Sequence, residues 1–420
     1  MHSRLIGCAC LLPLALAVTA GAQATPKIKF EKYTLPNGLE VILHEDHSTP
    51  IVTVDTWYHV GSGDEKPGRT GFAHLFEHIM FMGSEHVPVG EFDKLLEAAG
   101  ANNNGSTTED RTNYFENLPS NALPLALWLD ADRMGFLLPT MDKAKLDLQR
   151  DVVKNERRQR VDNVPYGRAD ETILAALYPK GHPYSWSVIG SMADLSAASV
   201  EDVSQFFRTY YAPNNATLTI AGDFDPVATK KLVNAYFSGI PRGPAIPPRP
   251  HVAPVTLAKD TFLVLEDKVQ LPRLYYDWPT VRIFDPDDAP LDILAAILTA
   301  GKNSRLYKRL VFDMQIAQNV FASQQSSNLA SKFELEVSPR PGQSTAAIDK
   351  VVQEELQKVI NAPVEARELE RAKNSYRASF LNRIASILGK AEVLNTYNYF
   401  AGNPDYIQQD AARYERVTAA

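Results

Sequence analysis

The chain has 420 residues, 45% of them hydrophobic, enough for two or three domains that each bury a core. Its 43 basic and 50 acidic residues leave a formal charge of −7, and no run of Lys or Arg is dense enough to track a phosphate backbone, which excludes nucleic acid as a partner. Both cysteines, Cys8 and Cys10, fall in the leader described next, so a cysteine nucleophile and a disulfide framework are excluded for the rest of the chain.

Residues 1–24 read as a secretory signal: a basic start at Arg4, an apolar run from Leu5, and the small-residue site Ala22-Gln23-Ala24. The expected mature chain begins near Thr25 and is secreted, into the periplasm. No later segment is long and apolar enough to span a membrane.

Tyr33 to Asp46 reads as a hairpin turning at Asn37-Gly38, and Ile51 to Gly63 as a further strand ending at glycines. GFAHLFEHIMFMGS (Gly71 to Ser84) and EFDKLLEAAGA have helical apolar spacing, and TNYFENLP is extended. ALPLALWLDADRM, AKLDLQRDVVKNERRQRV and the start of VEDVSQFFRTYY are helical, and ATLTIAGDF (Ala216 to Phe224) is a strand. Gly239 to Pro254 holds six prolines and marks a linker, taken as residues 241–257, between a first domain (25–240) and a second (258–420). The second domain begins with the strand-like TFLVLED and LPRLYYDWP. It continues with the helix APLDILAAILTAG, the strand KFELEVSP and two long helices, Thr345 to Ile360 and Ala366 to Ser386.

The halves repeat at a shift of about 220 residues. The repeat places no histidine or carboxylate of the second half on His74, His78 or Glu156, so metal chemistry is expected of the first half alone. The first half closes with a helix and a strand that have no counterpart before Ala420, so the second domain is expected to be C-terminally truncated.

Nine histidines serve the whole chain, and two of them, His74 and His78, stand four apart around Glu77 in HLFEH. On a helix the pair shares one face, where two imidazoles can bind one Zn²⁺, and Glu77 borders that face. Chance gives such a motif in this chain about 0.01 times. A catalytic zinc takes a third protein ligand and keeps a position for water, whose pKa falls to about 7; Glu156 on the helix VVKNERRQR can be that ligand and Glu77 the base. His59, His86 and His182 are expected to be structural or exposed, and His44 and His47 in HEDH to form a solvated edge.

HLFEH followed by NERRQ resembles the pitrilysin/insulinase family of zinc metallopeptidases, the inverzincins. VGSGDEKPGRTGFAHLFEHIMFMGS, TEDRTNYFENLP, RDVVKNERRQR, GHPYSWSVIGS and YYAPNNATLTIAGDFD carry the resemblance over nearly the whole mature chain. It implies an α+β fold of two similar domains, each a mostly antiparallel sheet packed with helices, forming half of a clamshell. It implies one zinc per chain on His74, His78 and Glu156, with Glu77 as general base of a zinc endopeptidase acting on peptides or unfolded segments. It further implies that Asn104, Gly105 and Ser106 form an edge against which a peptide substrate adds as a strand. A second subunit, identical or a related non-catalytic one, is expected to close a chamber. The other functional class is a non-catalytic scaffold of the same fold. One position departs from many relatives: Gln149 stands where they carry a second glutamate.

Overall fold

The computed structural model describes residues 26–250 and 252–420; the leader, residues 1–24, lies outside the described residues. The first half opens with β1 (Glu31–Thr34), β2 (Glu40–Glu45) and β3 (Ile51–Tyr58), then α1 (Phe72–Ile79) and α2 (Glu91–Ala98). A hairpin, β4 (Asn102–Thr107) and β5 (Thr112–Pro119), precedes α3 (Leu123–Phe136), α4 (Lys143–Arg157) and α5 (Ala169–Leu177). The short α6 (Met192–Ala197), α7 (Val200–Tyr210), β6 (Ala216–Gly222) and α8 (Pro226–Phe237) complete it. The second half comprises β7 (Leu274–Thr280), α9 (Asp288–Thr299), β8 (Ala317–Gln325), β9 (Ser331–Pro339), α10 (Thr345–Asn361), α11 (Ala366–Arg383), α12 (Ile387–Ala401) and α13 (Ile407–Glu415).

The first sheet runs β1-β2-β6-β3-β5-β4, antiparallel throughout except for the parallel β2-β6 pair. Alternation along β3 decides what each face meets. Val52, Val54 and Tyr58 point into a core with Leu75, Phe76 and Ile79 of α1, Leu127 of α3 and Phe207 of α7. Asp55 and Trp57 point the other way, toward α12 of the second half: the Asn395 side chain donates to Asp55 Oδ2 at 2.9 Å and Phe400 packs edge-on to Trp57. Asn113 bridges Asp55 and Glu392 at 3.0 and 2.9 Å, so two carboxyls share one dry pocket. Burial, with Glu392 adding repulsion, pushes the Asp55 carboxyl well above the usual range.

The second sheet, β7-β9-β8, repeats the order and direction of β3-β5-β4. Asp277 faces Glu334 across β7-β9 as Asp55 faces Phe115 across β3-β5. Here the first half returns the exchange: Asp170 of α5 reaches Lys332 Nζ at 3.2 Å, beside Glu334 at 2.8 Å and Asp277 at 3.4 Å. Each sheet therefore has its outer face covered by a helix from the opposite half.

Three expectations need correction. Thr261 to Asp267 forms no strand: it has the composition of one, but no neighbour pairs with it, and Phe262 and Val264 are 88% and 76% exposed. The irregular stretch that begins at the prolines accordingly runs on to Arg273. His44 is buried, its Nδ1 bonded to the Lys29 carbonyl at 2.6 Å; only His47 is solvated, between Glu45 and Asp223. β8 was not legible, since AQNVFASQQ alternates weakly.

Lys332 divides one charge among three carboxylates, which raises its own pKa and leaves the half-buried Asp277 undercompensated, its carboxyl pushed up to about 6 by desolvation. Below about pH 3 the group is neutral folded and unfolded; the stability cost builds up between about pH 4 and 6, where only the unfolded chain ionises, and is complete above that. Asp277→Asn is therefore expected to stabilise the chain by about 1–3 kcal/mol at pH 7.5 and by almost nothing at about pH 3, read by denaturant unfolding at the two pH values.

Candidate metal centre

The site depends on the ends of two helices. The N-terminus of α1 starts at Gly71 with φ +86°, and its free N–H groups are taken by Glu65, whose carboxylate accepts from Gly71 N at 2.9 Å and Ala73 N at 2.8 Å. An anion at this end complements the helix dipole and satisfies buried donors. Gly190 lies against the same end, where a Cβ would stand 2.4 Å from Gly71 Cα. Arg157, the residue after Glu156, binds the Gly190 carbonyl at 2.8 Å and holds Glu171 of α5 in a two-point ion pair. The C-terminus of α4 and the N-terminus of α1 are thereby fixed to one turn.

On this frame His74 Nε2 and His78 Nε2 lie 3.6 and 3.1 Å from the same oxygen, Glu156 Oε2, with the two rings nearly perpendicular. A tetrahedral zinc with bonds near 2.0–2.2 Å needs donors roughly 3.4 Å apart, so the three side chains fit that ion. They are the one such group of three among the described residues, with ligand atoms within 4.8 Å of one another. Burial, with His78 beside it, pushes the His74 imidazole down to about 4, which keeps it in the neutral form that ligates metals. The other Glu156 oxygen forms an ion pair with Arg160 at 2.9 Å, an exposed guanidinium on the π turn Arg158–Asp162 that follows α4. Gln149, buried one face-repeat earlier on α4, points its Nε2 at Met82 Sδ, 2.7 Å away.

Glu77 stays outside the cluster. Its Oε2 accepts from Thr107 Oγ1 at 2.6 Å; burial pushes the carboxyl up, while Thr107 and His78 pull it down. Thr107 ends β4, which pairs with β5 on one side and is the free edge of the six-stranded sheet. Asn104, Gly105 and Ser106 lie on this edge. A Cβ at Gly105 would stand 3.0 Å from Glu77 Cγ, so glycine there leaves the base its room.

The remaining histidines serve elsewhere. His59 stacks on Tyr399 at 4.5 Å, His86 binds the buried Asp132 at 2.6 Å, and His182 stacks on Tyr178 at 4.6 Å. Sequence reasoning did not find Glu65, Thr107, Arg157 or Gly190. Of these only Gly190, a glycine between apolar and polar segments, left a signal.

The fold is that of the M16 peptidases, a half-clamshell of sheets packed with helices. The chain belongs to the insulinase family of peptidases, family M16. The model described as Insulinase (Peptidase family M16) matches residues 40–187, and that described as Peptidase M16 inactive domain matches 197–376. The zinc protease PqqE of Helicobacter pylori is 30% identical over 97% of this chain and 92% of its own length. The crystal structure of a protease from Helicobacter pylori superimposes with a TM-score of 0.87 at 27% identity, covering 94% of both chains. The periplasmic protease PqqL of Escherichia coli aligns at 21% identity and TM-score 0.75 over 94% of this chain and 46% of its own.

Gly190→Ala is expected to force α1 and the Gly190 turn apart, costing about 2–4 kcal/mol of stability. It is also expected to weaken Zn²⁺ binding at least about tenfold, measured by competition with a chromophoric chelator.

Proposed function

We propose that the chain is a zinc endopeptidase that cleaves peptides or unfolded segments, with one zinc on His74, His78 and Glu156. The observation that carries this reading is the convergence of those three donors beside a glutamate, Glu77, that ligates nothing. When bound, zinc would supply a Lewis acid that polarises a peptide carbonyl and acidifies a water. Glu77 accepts the proton of the attacking water and delivers it to the departing amine. Thr107 holds that carboxylate at one oxygen. The free edge of β4, at Asn104, Gly105 and Ser106, offers main-chain groups to which an extended substrate adds as a further strand, so the register of cleavage is set with little reading of side chains.

The alternative, a non-catalytic scaffold subunit, takes its support from the inactive-domain description of the model matching 197–376. Among its described residues that region has no group of three metal-binding side chains, whereas His74, Glu77, His78 and Glu156 are all present in the first half. The proposal extends to a periplasmic site of action and to a second subunit, identical or a related non-catalytic chain, that closes a chamber over the zinc. The length of PqqL, whose chain this one matches over 46%, supports an assembly of two such chains.

Purified, zinc-loaded protein is expected to cleave a quenched fluorescent peptide library, to lose activity to a chelator and to regain it on adding Zn²⁺. Glu77→Gln should keep one equivalent of zinc and lower kcat by about 10²–10⁴. Cleavage that survives both treatments would sink the reading. Sedimentation at increasing concentration is expected to reveal a two-chain species or, with a non-identical partner, a monomer that gains activity when that partner is added.

A further inference from the structure

The turn between β4 and β5 connects Glu77 to the part of the chain beyond residue 240. Thr107 stands at one end of this turn, with its hydroxyl on Glu77. Asp110 stands three residues on, 2% exposed, and every one of its oxygens is engaged. Its Oδ1 accepts from Tyr184 at 2.6 Å and Arg249 at 2.5 Å, and its Oδ2 from the Asn328 backbone N–H at 2.9 Å. Its carbonyl accepts from Arg249 at 2.7 Å and the Tyr399 hydroxyl at 3.1 Å. Arg249 belongs to the proline-rich segment, Asn328 to the β8-β9 turn and Tyr399 to α12. Arg249 also grips Asp64, at 2.6 and 2.9 Å, in the loop that leads to α1.

That loop closes the circuit. Ser62 N and Gly63 N donate to the carbonyls of Thr108 and Glu109 at 3.0 and 2.9 Å, and a Cβ at Gly61 would stand 2.3 Å from Thr108 O. A hairpin needs none of these bonds to close. An edge strand has a single neighbour, so its far end drifts unless something outside the sheet fixes it. Three of the six fixing residues, Arg249, Asn328 and Tyr399, come from beyond residue 240, and the strand they fix ends on the hydroxyl that meets Glu77.

We propose that the second half of the chain positions the general base and the substrate edge, acting through Asp110 on the β4-β5 turn and through Thr107 on Glu77. The inference rests on the peptidase reading given above. Thr107 and Asp110 are positioning residues: neither lies among the zinc-binding donors, and each acts by restricting a neighbour. A carboxylate with one hydrogen bond on one oxygen loses much of its rotational spread, and a base misplaced by about an ångström costs about a hundredfold in rate.

Two arms test it in the full-length, zinc-loaded protein. In the kinetic arm, Thr107→Val is expected to lower kcat by about ten- to a hundredfold with KM within about twofold of wild type and zinc content unchanged, and Thr107→Ser to restore most of the loss. A Thr107→Val enzyme with wild-type kcat overturns the link to Glu77. In the exchange arm, Arg249→Met and the milder Tyr399→Phe are followed by hydrogen–deuterium exchange. Amides of residues 102–107 should exchange at least about fivefold faster, more so in Arg249→Met, with those of α8 unchanged. Unaltered exchange at 102–107 in both variants overturns the anchor. This arm needs no hydrolysis, so a wild-type chain that cleaves nothing, alone or with its partner subunit, removes the peptidase reading and its kinetic arm while exchange still decides whether the second half holds the hairpin.

Discussion

Three donors from two helices can meet at one point only if the helix ends are held to within a fraction of an ångström, and the contact of Gly71 with Gly190 is where this chain achieves it. No side chain fits between them. Around the contact, each helix end is satisfied electrostatically: the amides of α1 by Glu65, the departing end of α4 by Arg157 through Glu171 and the Gly190 carbonyl. These groups are buried, so their bonds are strong and their loss is expensive. The three donors themselves need only project from a frame that is already rigid.

The rest of the architecture follows from covering two sheets with a limited stock of helices. Each sheet turns one face to its own half and the other to a helix of its neighbour, α12 on the first and α5 on the second. Both crossings are polar, Asp55 with Asn113, Glu392 and Asn395 on one side and Lys332 with Asp170, Asp277 and Glu334 on the other. Burying such groups stabilises little in net terms, but a mispaired register would leave carboxyls without partners. Specific docking of the halves is the return.

Much of this was legible where one physical rule dominates. The spacing of His74 and His78 around Glu77 is set by the helix period, and β3, β6 and the hairpin at Gly38 follow from alternation and turn chemistry. The scarcity of histidine made the motif stand out. Thr261 to Asp267 misled because β-propensity describes fit to a neighbouring strand, and no strand lies beside it. His44 misled because its cover is the backbone of Lys29, in the segment that leads into β1, which shows no periodicity of its own. Thr107, Asp110 and Arg249 could not be found at all, since each gains its role from partners far away in sequence, up to 289 residues for Asp110 and Tyr399. Pairings of that separation leave no local periodicity.

The reciprocal exchange of α12 and α5 bears on how a duplicated chain ages. After a duplication either copy can lose its ligands without penalty to chemistry, so long as the other keeps them. Neither copy can be deleted, because each holds the lid of the other's sheet. The half without the three-donor group is retained by the geometry of its packing, since a change that uncovers Asp55 or Lys332 strands a charge in the partner half's sheet whatever happens to the chemistry.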